Sequence, residues 1–225
     1  MPEFAASAKA KDGPSAATGL TLFLARPFRA DLAARRDPIE GRKRMSNIAP
    51  LLERNKAFAS SGVWRNTPSL PFLPFRGLYI ISCVDPRTDP ADFLGLDFGE
   101  AIVGRTVGGR VTDAVIQDLS YIGYLVEAKA PEGPYFEAAV IHHTDCGSRL
   151  LEDPELRHGF AERSGYDEQM LASLPATVPA DTVRADVAKL IAAPQISPRI
   201  TVSGHVYDTA TGLLATVTEP VHPRS

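Results

Sequence analysis

Two short clusters of chemically reactive side chains stand out in this 225-residue sequence. The first contains Cys83, Asp85 and Arg87, and the second contains His143 and Cys146. Cysteine thiolate and histidine imidazole are among the ligands that zinc prefers in proteins. Since the chain has only two cysteines, the natural ligand count is two cysteines, one histidine and one further position. Three protein ligands with one open position are typical of catalytic zinc, whose bound water becomes a nucleophile near neutral pH.

The spacing within the first cluster suggests how a carboxylate could assist such a water. Asp85 and Arg87 lie two and four residues after Cys83, so an extended backbone returns all three side chains to one side. Pro86 favours an extended conformation at Asp85. Arg87 can hold the carboxylate through two parallel hydrogen bonds. A carboxylate oriented in this way can accept a hydrogen bond from the water and leave its lone pair free for attack.

Each of these residues also has a structural interpretation. A buried cysteine usually behaves as a small hydrophobic side chain, and a histidine at the end of a strand is usually packed or hydrogen-bonded. An Asp–Arg pair on the surface contributes little to stability. A disulfide between the two cysteines is a further alternative. We prefer the metal site, because independent structural causes would not place all of these residues at the ends of two strands.

The elements that must position the clusters alternate between strand and helix. Apolar runs rich in β-branched residues predict buried parallel strands, and apolar residues at helical spacing predict the helix between them. Ligands bind outside the carboxyl ends of the strands in an open parallel sheet, and both clusters follow such ends. The predicted fold class is α/β, with a central, mainly parallel β-sheet flanked by helices. The predicted strands are 77–82, 100–103 and 136–142, and the helix is 111–128, capped by Thr112 and Asp113.

The remaining elements are predicted from apolar spacing and from turn residues. A helix over 48–58 is capped by Ser46 and Asn47, and a proline-rich segment over 68–74 interrupts regular structure. Residues 152–180 are interpreted as a loop with one short helix. Near the end of the chain we predict a helix over 180–192, capped by Asp181, and a β-hairpin whose strands are 200–207 and 213–217.

Charge separates the first 45 residues from the rest. Residues 1–45 contain nine Lys or Arg and five Asp or Glu, which gives +4, whereas the whole chain carries −3. We interpret residues 1–45 as a flexible basic extension and residues 46–225 as the zinc domain. The extension resembles a mitochondrial transit peptide in its arginine content, but its five acidic residues argue against that interpretation. We therefore expect a cytoplasmic protein.

Composition also excludes some classes of partner. The chain has no overall basic excess with which to neutralise a phosphate backbone, so a nucleic-acid partner is not expected. No apolar run approaches the roughly 20 residues needed to cross a bilayer, so no membrane partner is expected either. The sequence lacks the glycine spacing of a dinucleotide-binding motif. It also lacks the motif that carries the serine nucleophile of hydrolases.

The paired clusters resemble the signature of β-carbonic anhydrases. Cys-x-Asp-x-Arg occupies 83–87, and His-x-x-Cys-Gly occupies 143–147. Segment 92–109 resembles the family's stretch that ends in Arg-Asn-Ala-Gly-Gly. The doubled histidine at 142–143 and segment 202–214 are similar to one branch of the family, which also contains carbonyl sulfide and carbon disulfide hydrolases. The resemblance extends over roughly residues 46–217.

This resemblance implies a site and an activity. The activity is the reversible hydration of carbon dioxide to bicarbonate by hydroxide on a zinc ion, with one zinc per chain. His142 competes with its neighbour as a ligand, but the spacing of the motif selects the second histidine. The implied zinc ligands are Cys83, His143 and Cys146, and the implied catalytic pair is Asp85 and Arg87.

The resemblance leaves two alternative functions open. The same site could hydrolyse carbonyl sulfide or carbon disulfide and release hydrogen sulfide. In a non-catalytic zinc protein, Asp85 would instead close the fourth position as a ligand. The family also implies a homodimer or homotetramer, in which the helix at 48–59 packs on the neighbouring subunit.

The sequence departs from the family pattern at two places. Pro86 replaces a small residue in the first cluster, and Thr106-Val107 replaces Asn-Ala. A missing Asn amide would matter if it fixed the loop beside the metal. The following Gly108 and Gly109 match the family, and they serve either a close backbone approach or a tight turn.

Overall fold

A computed structural model describes residues 46–66, 74–132 and 136–223. The interpretation of residues 1–45 lies outside this range, as does most of the predicted proline-rich interruption. No helix in the described part of the chain is long and apolar enough to span a membrane.

The centre of the fold is a five-stranded sheet in the order β2-β1-β3-β4-β5. Strands β1 to β4 run parallel, and β5 pairs with β4 in the antiparallel direction as the predicted C-terminal hairpin. The predicted fold class is therefore confirmed. The strands are β1 Leu78–Cys83, β2 Ile102–Thr106, β3 Glu137–His143, β4 Thr201–Tyr207 and β5 Leu214–Val221.

Two long helices supply most of the core on one face of this sheet. Helix α3 (Asp113–Lys129) begins at the predicted cap, where the Thr112 side chain accepts a hydrogen bond from the Val115 amide. Helix α6 spans Pro179–Ala192. Buried apolar side chains of both helices join those of the strands in a single cluster, which includes Ile81, Val115, Leu119, Val140, Val183, Val187 and Leu190.

The shorter helices complete the described chain. Helix α1 is Ala49–Ser61, α2 is Pro90–Phe93, α4 is Pro154–Ser164 and α5 is Glu168–Ala172. Single 3₁₀ turns occupy Val63–Asn66, Val107–Gly109 and Gly147–Glu152.

The prediction of a loop with one short helix over 152–180 is wrong in the number and length of its helices, because α4 has 11 residues and α5 follows it. Asp153 caps α4 by accepting hydrogen bonds from the Glu155 and Leu156 amides, and Asp167 caps α5 in the same way. These aspartates, with Pro154 in the first turn, are good helix start signals. These signals did not locate the helices in the sequence, because the segment is polar: α4 buries no residue and therefore shows no apolar stripe.

Three further predictions need correction at their boundaries. Strand β2 begins two residues later than predicted and continues to Thr106. Helix α6 has Val178 at its N-cap without a side-chain hydrogen bond, so Asp181 lies inside the first turn and pairs with Arg184 instead. Helix α1 likewise has Ile48 at its N-cap and no side-chain cap, so the predicted capping by the two preceding residues is wrong.

Replacing Leu119 with alanine should weaken this core. Leu119 is 0% exposed, and removal of a buried leucine side chain lowers the free energy of unfolding by about 2–5 kcal/mol. Urea denaturation measures the loss. Tyr121→Ala on the same helix is the control, because Tyr121 is 60% exposed and its loss should change stability by less than about 0.5 kcal/mol. Equal effects of the two substitutions would contradict this description of the core.

Candidate metal centre

Sheet topology brings the two predicted clusters together. Strands β1 and β3 are parallel neighbours, so their carboxyl ends lie at the same edge of the sheet. Strand β1 ends at Cys83 and β3 ends at His143, while Cys146 precedes the 3₁₀ turn that follows. One ligand atom from each of these residues lies within 4.8 Å of the others, and all three residues are buried. The described residues thus contain a Cys–His–Cys group that could hold a metal ion.

The distance between the sulfurs suits a shared metal ion and excludes a disulfide. The two Sγ atoms are 3.9 Å apart, and both cysteines are free. A disulfide requires about 2.05 Å. Two sulfurs bound to one tetrahedral zinc at about 2.3 Å each lie about 3.8 Å apart. The disulfide alternative is therefore wrong.

The hydrogen bonding of His143 leaves one nitrogen available as a ligand. Its Nδ1 lies 2.9 Å from the carbonyl oxygen of Thr144. A carbonyl can only accept, so Nδ1 carries the proton and Nε2 carries the lone pair. Nε2 is buried, and within the described chain it has no hydrogen-bond partner outside the Cys–His–Cys group. A buried, unpaired imidazole nitrogen beside two sulfurs fits a metal ligand, and the Nδ1 hydrogen bond fixes the direction of its lone pair.

The neighbouring histidine points into a different environment. His142 places Nδ1 2.8 Å from the hydroxyl of Thr182 and Nε2 3.1 Å from the carbonyl oxygen of Gly109. Both of its nitrogens are therefore occupied, and it is not part of the Cys–His–Cys group. The structure places His143 beside the cysteines, as the spacing of the motif predicts.

The two thiols influence each other's ionisation. The hydrogen bond with Cys83 lowers the pKa of Cys146 to about 3, although burial opposes this shift. The same hydrogen bond, together with burial, raises the pKa of Cys83. One proton is thus shared between two buried sulfurs, and the first thiolate forms readily. A bound cation favours loss of the second proton, because it offsets the negative charge that burial opposes.

The predicted Asp85–Arg87 clamp is present. Arg87 donates from Nε to Oδ1 of Asp85 at 3.0 Å and from Nη2 to Oδ2 at 2.8 Å. These hydrogen bonds lower the pKa of Asp85 to about 2. The carboxylate is held by the arginine and lies outside the Cys–His–Cys group of the described residues. This arrangement favours an open fourth position over a site that Asp85 closes.

Sequence reasoning missed a second partner of Arg87. The guanidinium also donates to the Asp145 carboxylate and to its backbone carbonyl oxygen, each at 2.9 Å. Asp145 has a φ of 55°, a left-handed conformation that aspartate tolerates better than most residues. Arg87 therefore joins the loop after β1 to the loop after β3. The only signal in the sequence was an aspartate between two predicted ligands.

Arg105 on β2 holds the backbone of the first loop, and this role was also missed. Its Nε donates to the carbonyl oxygen of Cys83 at 2.8 Å, and its Nη2 donates to that of Asp85 at 2.6 Å. It also pairs with Asp89, which caps α2. The loop between Cys83 and Asp89 is thus fixed through its carbonyl oxygens as well as its side chains.

The paired glycines serve both a tight turn and a close backbone approach, so both explanations drawn from the sequence are correct. Gly108 and Gly109 have φ values of 72° and 71°, which side chains rarely adopt. A Cβ at Gly109 would also lie 2.9 Å from the carbonyl oxygen of Ile141 and 3.2 Å from the amide nitrogen of Cys83. The turn therefore packs against the ends of β1 and β3 at a distance that only glycine allows.

An aromatic pair lies beside the end of β3. Tyr207 is paired with His143 in the register of β3 and β4. Its ring stacks on Phe93 of α2, with centroids 4.2 Å apart and an angle of 18° between the planes. Paired residues of parallel strands project from the same face of a sheet, so this stack adds apolar surface near the candidate ligands.

Comparisons with known proteins agree with the resemblance seen in the sequence. No protein-family model matches the chain. Beta-carbonic anhydrase 1 of Mycobacterium tuberculosis is 31% identical over 150 residues, which are 66% of this chain and 86% of that protein. Carbon disulfide hydrolase of Saccharolobus solfataricus is 32% identical over 88 residues, which are 39% of this chain and 40% of that protein.

A solved structure gives the same result. Carbonic anhydrase from Streptococcus mutans matches with a TM-score of 0.62 at 33% identity, and the match covers 77% of this chain and 99% of that one. β-Carbonic anhydrases are zinc enzymes, and the buried Cys–His–Cys group of this chain has the donor atoms that zinc prefers. The chain belongs to the β-carbonic anhydrase family.

Proposed function

We propose that this protein catalyses the reversible hydration of carbon dioxide to bicarbonate and a proton, with zinc held by Cys83, His143 and Cys146. One observation carries the proposal. A buried group of two sulfurs and an unpaired imidazole nitrogen lies beside an aspartate that an arginine keeps ionised. The three side chains would supply three ligands to a bound zinc ion, which would leave one coordination position for solvent.

Zinc in this group supplies a Lewis acid that makes water nucleophilic near neutral pH. Asp85 accepts a hydrogen bond from the attacking water and so directs the oxygen lone pair toward the carbon of carbon dioxide. Arg87 keeps the Asp85 carboxylate ionised and prevents it from turning away, through hydrogen bonds of 3.0 and 2.8 Å. The proton that is released passes to solvent.

The surroundings suit a small apolar substrate. The Phe93–Tyr207 stack contributes apolar surface at the end of β3, and a linear molecule without net charge is better accommodated by such a surface than an ion is. Carbonyl sulfide and carbon disulfide share this shape, so they remain alternative substrates of the same site. We favour carbon dioxide, because the similarity to a β-carbonic anhydrase extends over 150 residues and that to a carbon disulfide hydrolase over only 88.

Substitutions at the site should separate metal binding from turnover. Purified wild-type protein should hold about one zinc per chain. Cys146→Ser should lose both zinc and activity, because it removes a ligand. Asp85→Asn should keep zinc but lose about tenfold to a hundredfold in rate, because it removes only the orienting carboxylate. Elemental analysis measures the zinc, and stopped-flow carbon dioxide hydration at alkaline pH measures the rate.

The control for these variants is His158→Ala. His158 lies on the exposed surface of α4 and pairs with Glu162 and Glu168, so its loss should leave zinc content and rate unchanged. A zinc-loaded wild type without hydration activity would contradict the proposal. Faster sulfide release from carbonyl sulfide or carbon disulfide than carbon dioxide hydration would transfer the proposal to those substrates.

Arg87→Gln should raise the pKa of Asp85 in the metal-free protein. In the wild type the guanidinium lowers this pKa to about 2, so the carboxylate adds stability above its ordinary pKa of about 3.9, and this contribution is lost as the pH falls toward 2. Without Arg87 the pKa should return toward the ordinary value. Carbon-13 NMR of the aspartate carboxyl groups follows the titration.

Arg149→Gln is the matched control for that titration. Arg149 is an exposed arginine whose ion pair within the described chain is with Asp145, at 3.9 Å, so its loss should leave the titration of Asp85 unchanged. An Asp85 carboxyl that titrates with an ordinary pKa in the wild type would show that the clamp does not persist in solution.

We further propose that two copies of the chain associate through α1. The helix buries none of its residues within the described chain, and several of its large apolar side chains are exposed. An isolated helix of 13 residues is marginally stable in water. A second copy that covers this face would stabilise it, as the family resemblance implies. The exposed apolar residues of this face are Ile48, Leu51, Leu52 and Phe58.

Charges on this helix should dissociate the oligomer. The double variant Leu51→Glu/Leu52→Glu should shift the protein toward the monomer mass, because two carboxylates would be buried without partners in the interface. Size-exclusion chromatography with light scattering measures the mass. Tyr124→Glu, on the exposed side of α3, is the control and should leave the mass unchanged. A monomeric wild type would contradict the proposal.

A further inference from the structure

A buried ion pair between Arg110 and Asp186 has no role in the proposed reaction. Arg110 follows the Gly108–Gly109 turn, and Asp186 lies on α6. Arg110 donates to the two Asp186 oxygens at 2.8 and 3.0 Å. Asp186 is 2% exposed; it also accepts from the Val111 amide at 3.0 Å, and its Oδ2 lies 3.3 Å from His142 Nε2. A buried, fully paired charge is costly to desolvate, and apolar residues often replace it without loss of stability. The pair therefore calls for an explanation beyond stability.

The first connection from Arg110 leads to Cys83. Arg110 ends the 3₁₀ turn that contains both glycines. This turn packs on the end of β1, since a Cβ at Gly109 would lie 3.2 Å from the amide nitrogen of Cys83, and the carbonyl oxygen of Gly109 is within 3.1 Å of His142 Nε2. Fixing Arg110 on α6 thus fixes the turn that packs against Cys83.

The second connection leads to Cys146. Arg110 Nη1 donates to the carbonyl oxygens of Ser173 and Leu174 at 2.5 and 3.2 Å. Two residues later, the Ala176 amide donates to the hydroxyl oxygen of Ser148 at 3.0 Å. That hydroxyl lies 3.2 Å from the Cys146 sulfur.

The direction of the Ser148 hydrogen bond follows from this arrangement. The Ala176 amide occupies a lone pair of the Ser148 oxygen, which leaves the hydroxyl proton free to point at the sulfur. The Cys146 sulfur therefore has a hydrogen-bond donor whose position depends on Arg110, and Cys83 lies against a turn that Arg110 fixes.

We propose that Arg110, anchored by Asp186, is a positioning residue that holds the glycine turn against Cys83 and the Ser148 hydroxyl against Cys146, and thereby sets the affinity of the site for zinc. The inference rests on the proposed zinc site. Hydrogen bonds to a metal-bound thiolate fix the sulfur and spread its negative charge. Loss of such outer contacts costs about tenfold to a hundredfold in metal affinity.

Arg110→Lys tests this role, because lysine keeps the charge but cannot contact both Asp186 oxygens and the two carbonyls at once. Ser148→Ala removes the hydroxyl that donates to the Cys146 sulfur. Competition with a chromophoric chelator measures zinc affinity, and the thiolate absorption of the cobalt-substituted protein reports the geometry at the sulfurs. We expect each variant to lose about tenfold to a hundredfold in zinc affinity and to shift the cobalt spectrum.

The double variant separates positioning from general destabilisation. If Arg110 acts through Ser148, the loss in Arg110→Lys/Ser148→Ala should be smaller than the product of the two single losses. Val187→Ala, in the apolar core on the same helix as Asp186, should lower the melting temperature but leave zinc affinity and the cobalt spectrum unchanged. If Arg110→Lys does not fold, Asp186→Asn, which releases Arg110 with little change in volume, takes its place.

Several outcomes would overturn the inference. These are a folded Arg110→Lys protein with wild-type zinc affinity, losses that multiply in the double variant, or an equal loss of affinity in Val187→Ala. Failure of the wild type itself to bind zinc is a different result. It would reject the proposed zinc site, whereas a wild type that binds zinc as tightly as Arg110→Lys rejects the positioning role alone.

Discussion

The close approach of two buried thiols is the interaction on which the rest of this structure depends. Two buried sulfurs 3.9 Å apart resist ionising together, and a cation bound between them offsets their mutual repulsion. The parallel pairing of β1 with β3 brings them together, since it places Cys83 and the loop that contains Cys146 at one edge of the sheet. The apolar core packed against these strands fixes that pairing, so the sheet determines the positions of the metal ligands.

Hydrogen bonds from arginine side chains fix the loops at this edge, as backbone hydrogen bonds fix the strands inside the sheet. Loops beyond the strand ends lack regular backbone hydrogen bonds, and their carbonyl and carboxyl oxygens need donors. Arg87 joins the two ligand-bearing loops, Arg105 holds the carbonyl oxygens of the first, and Arg110 ties the glycine turn to α6. Arginine suits this task, because its planar group donates up to five hydrogen bonds in fixed directions.

The sequence predicted the parts of this arrangement that depend on local pattern. Apolar runs ending at Cys83 and at His142–His143 identify β1 and β3, and the Asp85–Arg87 clamp follows from a spacing of two residues. The partners of Arg110 could not be predicted in this way. Asp186 lies on α6, 76 residues after Arg110. The apolar spacing of that helix does not indicate that one of its aspartates is buried. The bounds of α4 were not predicted for a related reason, since its start signals were present without an apolar stripe.

The departure from the family at Thr106–Val107 is explained by how the turn is closed. The Thr106 hydroxyl donates to the carbonyl oxygen of Arg110 at 2.8 Å, so the chain bridges its own turn at the position where the family has an Asn amide. Val107 is 55% exposed, so its larger side chain displaces nothing in the core. The path of the backbone is set instead by Gly109, where a Cβ would collide with β3. In this chain the turn is therefore held by the Thr106 hydroxyl and by the close approach of Gly109 to β3.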